Sequence, residues 1–138
     1  MYTLMLRSDK IIFSHDTALY LNGLSERTPF IHSVTIPSNS KLSKGVSDEC
    51  VCYYVKPQLY RIGETILENS FGNRVRCYNA ERTVCDIIRS RNRLDEETVI
   101  SAIKNYAISK EKDLNILAEY ATMFGIEKIL KRYMEVLL

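Results

Sequence analysis

No two glycines of this chain lie close enough to build a phosphate-cradling loop. Gly23, Gly45, Gly63, Gly72 and Gly125 stand alone, which excludes the glycine-rich nucleotide-binding motifs. There is no C-x-x-C pair among Cys50, Cys52, Cys77 and Cys85, and His15 and His32 are isolated. The closely spaced ligands of a zinc site are therefore missing, and neither a metal nor a cofactor is expected. Apolar runs stop after a few residues, too short to span a bilayer, and Met1 to Leu6 is too short for a secretory signal. A cytoplasmic protein with reduced thiols and no membrane contact is the expectation. Charge of one sign is scarce as well. The formal net charge is +2, and only residues 51–80 are biased, with four basic against two acidic side chains. A basic surface would have to come from clustering in space.

What is present is an ordinary globular balance, 46% hydrophobic and 26% charged over 138 residues. That length predicts a single domain, residues 1–138, with one core. The organising stretch is RVRCYNAERTVCDIIRSR, Arg74 to Arg91. Arg74 to Tyr78 alternates polar and apolar like a half-buried strand, whereas Val84, Ile87 and Ile88 recur at helical spacing. The period switches at Asn79, a capping residue type, and Glu81 suits the positive end of the helix dipole. Short strands precede the switch and helices follow it, which predicts an α+β fold: a small, mainly antiparallel sheet packed against a C-terminal layer of about four helices.

In chain order, Tyr2 to Leu6 and Ile11 to Phe13 read as extended. Ser14 opens a short helix over Thr17 to Asn22, within the region 15–22, and Gly23 ends it. Three consecutive residues Ser14-His15-Asp16 are not expected to turn their side chains toward one another as a catalytic triad, which is assembled from separate segments. Phe30 to Ile36 reads as a strand with His32 in its middle, and residues 38–49 as a polar loop. Val51 to Val55, unbroken and apolar, reads as a central strand. Tyr60 to Glu68 and Arg74 to Tyr78 form a hairpin around Asn69 to Asn73, with Arg74 and Arg76 on one face and Val75 and Cys77 on the other. The helices that follow cover Ala80 to Arg91, a segment capped by Asp95 that buries Val99, Ile100, Ile103 and Ala107, a segment capped by Asp113 that buries Leu114, Leu117, Ala118 and Ala121, and Ile126 to about Val136. Ile87, Ile88, Ile103, Leu117 and Leu130 are the core expected there.

Three blocks, SHDTALYLNGLSERTPF (Ser14 to Phe30), SFGNRVRCYNAERTVCDIIRSRN (Ser70 to Asn92) and LAEYATMFGIEKILKRYMEVLL (Leu117 to Leu138), resemble in order the C-terminal domain of AbiEi-type antitoxins. These are transcriptional regulators paired with nucleotidyltransferase toxins in type IV toxin–antitoxin and phage abortive-infection systems. The resemblance implies a non-enzymatic antitoxin domain that antagonises a cognate nucleotidyltransferase toxin without requiring a stable complex. The family's N-terminal winged helix-turn-helix is not in this sequence, which implies weakened autoregulation and at most weak DNA or RNA binding. Ala80 also stands where the family often has proline, a tolerated change at a first helical position.

The residues themselves offer one basic cluster, Arg74, Arg76, Arg82, Arg89, Arg91 and Arg93. Guanidinium forks pair with phosphates and carboxylates, so the cluster is a candidate nucleic-acid or partner surface. The structural alternative is that Arg89, Arg91 and Arg93 complement a helix C-terminus. An isolated nucleic-acid-binding module is the second functional reading. A metal-dependent nuclease-like site built from Glu64, Glu68 and Asp86 is the third, although no metal-binding spacing accompanies it. No residue is assigned a catalytic role. The nine tyrosines are scattered, as expected for core and boundary packing rather than base stacking.

Overall fold

A helix, not a strand, opens the computed structural model, which describes residues 1–137. Helix α1 spans Tyr2–Arg7 and buries only Leu4. A strand in this position would bury Tyr2, Leu4 and Leu6 on one face, yet Tyr2 is 38% and Leu6 68% exposed. Leucine and methionine are good helix formers, and one buried anchor is enough to hold so short a segment.

The chain divides into two compact units, Met1–Asn79 and Ala80–Leu138. The first carries one sheet of β1 (Ile12–Phe13), β2 (His32–Pro37), β3 (Cys50–Val55), β4 (Glu64–Glu68) and β5 (Arg74–Tyr78), ordered β3-β2-β1-β5-β4. The sheet is mixed rather than mainly antiparallel. β1–β2 and β4–β5 pair antiparallel, while β1–β5 and β2–β3 pair parallel. Joining parallel neighbours takes a crossover of about a dozen residues. Residues 38–49 are that crossover, and they carry the one-turn helix α3 (Lys44–Ser47) with Val46 buried, where the composition reads as plain loop.

The centre of the sheet is its shortest strand. Ile12 and Phe13 are wholly buried, whereas the unbroken run of β3 lies at an edge, with Tyr54 58% exposed. An apolar run reports how many faces are covered and says nothing about which strands flank it. Two boundaries also move. Phe30 is fully exposed, and β2 begins at His32. Tyr60 belongs to the turn α4 (Pro57–Tyr60), for which Pro57 supplies the preset first residue. The β4–β5 hairpin matches expectation, its loop held by Asn69 Oδ1, which accepts from Phe71 N and Asn73 N at 3.0 Å each.

The second unit is helical: α5 (Ala80–Arg89), a 3-10 turn at Arg91–Arg93, α6 (Glu96–Ala107), α7 (Leu114–Met123) and α8 (Glu127–Leu137). α5 ends at Arg89 rather than Arg91. The five expected core residues Ile87, Ile88, Ile103, Leu117 and Leu130 are all buried. On α6 the buried set is Val99, Ala102, Ile103 and Tyr106, with Ile100 and Ala107 only half-buried. On α7 Leu114 and Ala118 are exposed, contrary to the expected stripe. The Asp113 cap is as read, its side chain accepting from Asn115 N and Ile116 N. No helix among the described residues is long and apolar enough to cross a membrane.

Candidate functional site

Every residue from Glu81 to Ile88 is buried, so α5 has no polar face toward water. Three of those residues are charged, and their charges must be met inside the protein. Arg82 is 0% exposed and therefore does not belong to a surface cluster. Its Nε donates to Asp86 Oδ1 at 3.0 Å, one helical turn away, and its guanidinium lies 4.5 Å from the centre of the Phe124 ring. Arg89, exposed, lies 4.9 Å from the same ring. Burial pushes the Asp86 carboxyl above its ordinary range, and the Arg82 charge opposes that shift. Asp86 Oδ2 is buried with no hydrogen-bond partner among the described residues.

The third charge, Glu81, is satisfied differently. Tyr106 Oη donates to Glu81 Oε2 at 2.5 Å, and the backbone amide of Asp113 donates to the same oxygen at 3.1 Å. One carboxylate thus ties α5 to α6 and to the start of α7. Burial first, and the neighbouring Glu81 carboxylate second, hold the Tyr106 phenol above its ordinary pKa.

The remaining arginines divide by environment. Arg74 is exposed on β5, across the ladder from Glu68. Arg76 is half-buried and structural: its Nε donates to Ile11 O at 3.2 Å and its Nη2 to Ser8 O at 3.1 Å. Arg91 Nη1 donates to Ile88 O at 2.8 Å, which completes the C-terminal turn of α5. Arg93 is exposed on the 3-10 turn. Of the six candidates, Arg74, Arg89 and Arg93 keep exposed side chains. Arg74 lies in the first unit, Arg89 and Arg93 in the second.

Of the nuclease-like trio, Glu64 and Glu68 lie in the first unit and Asp86 in the second. Asp86 is closed off from solvent against Arg82, and Glu64 Oε1 pairs with Arg61 Nη1 at 2.7 Å. No group of three metal-ligating side chains occurs among the described residues.

A second buried polar centre escapes sequence reasoning. Ser14, His15, Thr17, Ser33 and Thr35 are each at most 3% exposed. His15 Nδ1 lies 2.9 Å from Ser14 Oγ. The cause is backbone conformation: His15 begins α2 (His15–Leu21) at φ 50, which swings its ring back over the preceding residue. Thr35 Oγ1 donates to Ser14 Oγ at 2.7 Å, Ser33 N donates to Thr17 Oγ1 at 2.9 Å, and Thr17 Oγ1 lies 3.3 Å from His32 Nδ1. The His15 ring stacks on Tyr53, centres 3.5 Å apart and planes 9° from parallel. His32 stands half-buried with its edge to Phe13, and burial, followed by the charge of the N-terminus, lowers its pKa. The centre is a polar rivet between α2, β2 and β3.

Burial raises the pKa of the Cys50, Cys77 and Cys85 thiols. All four cysteines are free. Cys50 and Cys52 bring their sulfurs to 3.5 Å on β3, but burial and the neighbouring thiol push Cys50 up to about 12. At neutral pH it is a thiol, not a nucleophilic thiolate.

No protein-family model matches this chain, and no curated protein sequence matches it.

Proposed function

We propose that this chain acts as a non-enzymatic antitoxin domain of the AbiEi type, antagonising a nucleotidyltransferase toxin in the cytoplasm through exposed arginines. The reading rests on the three sequence blocks and on where their residues fall in the fold. The first block supplies α2 and its share of the rivet, Ser14, His15 and Thr17, the last supplies most of α7 and α8, and their buried members are scaffold. The middle block supplies β5, α5 and the 3-10 turn. The observation that carries the proposal is the division within that block. Arg76, Arg82 and Arg91 are bound to the protein's own oxygens, while Arg74 and Arg89 remain exposed, as does Arg93 just after the block. A guanidinium at the surface can pair with the phosphates or carboxylates of a partner.

Arg74→Glu and Arg93→Glu, combined with Arg89→Gln because that side chain lies on the Phe124 ring, should abolish growth rescue from a co-expressed nucleotidyltransferase toxin. The thermal melt should stay near that of the parent, since exposed charges usually change stability by under about half a kcal/mol each. Undiminished rescue by a normally folded triple variant would overturn the assignment.

The same arginines favour a second reading, a nucleic-acid-binding module. It predicts binding that weakens steeply with salt and shows little sequence preference, because phosphate contacts position a protein without reading bases.

A further inference from the structure

A groove of about 570 Å³ is lined chiefly by α7 and α8, with Ala107 of α6 beside them. Its floor is Leu117, Ala121 and Leu130, all buried. Its sides expose Leu114 and Ala118, the two α7 residues expected in the core, and Met134 faces them from α8. The Thr122 hydroxyl proton is already engaged, Oγ1 donating to Ala118 O at 3.2 Å. The small side chains of Ala118 and Ala121 give the groove depth, and Met134 can adapt to what enters.

The charged residues of the lining are Lys112, Glu127 and Lys131. Glu127 and Lys131 stand one turn apart on α8, the favourable order for mutual compensation. Two lysines against one glutamate leave one cation in excess along the groove, and Lys112 is the one farther from Glu127 in sequence. Its Nζ donates to Ser109 O at 3.1 Å, which tethers the ammonium and leaves two further donors. The neighbouring Asp113 carboxylate is engaged with the α7 amides that it caps. A mainly apolar cavity of this volume with a few charged groups is the usual form of a small-ligand site.

We propose that this groove binds a monoanionic amphiphile, with an apolar chain in the trough and one carboxylate on Lys112. The site uses none of the arginines assigned above, so it stands or falls separately from the antitoxin reading.

Titration calorimetry of the full chain with decanoate, decanol and decyltrimethylammonium, each below its micelle concentration, tests the assignment. Decanoate should bind at least about tenfold more tightly than decanol, the difference one charge-assisted hydrogen bond makes, and the cationic probe should bind least. Lys112→Gln should bring decanoate down to the affinity of decanol. Ala118→Trp, at an exposed position and checked by thermal melt, should abolish binding of both. Equal affinity for decanoate and decanol would overturn the proposal, as would decanoate binding that survives Ala118→Trp. A concentration-dependent dimer that Ala118→Trp dissolves, with no decanoate bound, would overturn it in favour of a second copy of this chain.

Discussion

Arg82 and Asp86 stand one turn apart on α5, Nε to Oδ1 at 3.0 Å, with side chains 0% and 4% exposed. Each neutralises a charge that the other would leave stranded, and this governs what mutation of either must do. Arg82→Met should destabilise the chain by about 3–5 kcal/mol in urea unfolding, because Asp86 stays buried without its partner. Arg82→Met combined with Asp86→Leu should recover most of that loss, since replacing both members of a buried pair by apolar groups is often near neutral. A double variant as unstable as the single one would show that the pair is not the unit.

The Glu81 carboxylate depends on the Tyr106 hydroxyl. Tyr106→Phe removes one donor and no volume of consequence, so the loss should be about 1.5–3 kcal/mol, the range for a hydrogen bond to a charged group. Hydrogen exchange at the Asp113 amide, which shares the same oxygen, should accelerate in that variant.

His15 holds a left-handed backbone at φ 50 while its ring bonds Ser14 and stacks on Tyr53. His15→Ala loses the ring and keeps the strain; His15→Gly loses the ring and relieves it. Glycine should therefore be the milder change by about 1 kcal/mol in thermal or chemical unfolding. Alanine unfolding no more readily than glycine would contradict the conformation.

His32 gives the first unit a pH dependence. Its folded pKa is lowered, chiefly by burial, so the unfolded chain takes up the proton first as pH falls. Stability from this group is complete above the ordinary histidine value near ~6.5. It declines as pH drops below that value and levels off once pH is below the folded pKa. Melting temperatures between about pH 5 and pH 8 should show this slope, and His32→Gln should flatten it.

Features set within a few residues were legible in the sequence. The change of period at Asn79 located the junction of β5 and α5, Asp113 announced the start of α7, and Gly125 at φ 68 marked its end. The five-residue hairpin loop was equally local, because Asn69 and Gly72 make their turn without help from the rest of the chain. Part of the candidate surface was legible for the same reason: Arg91 does complete the end of α5, and Arg74 does point outward from an alternating strand.

What failed to show was everything decided by distant segments. Parallel pairing of β1 with β5 joins residues more than sixty positions apart, and no local pattern encodes such a neighbour. That pairing put the two-residue β1 at the centre and left β3 at the edge. Arg82, Asp86 and Glu81 have the composition of a solvated helix face, and only tertiary packing turned that face inward, where opposite charges and the Tyr106 hydroxyl replace water. The arginine cluster split on the same ground. Adjacency in sequence made six residues look alike, while the nearest carbonyl, carboxylate or ring in three dimensions decided which became structural and which stayed exposed.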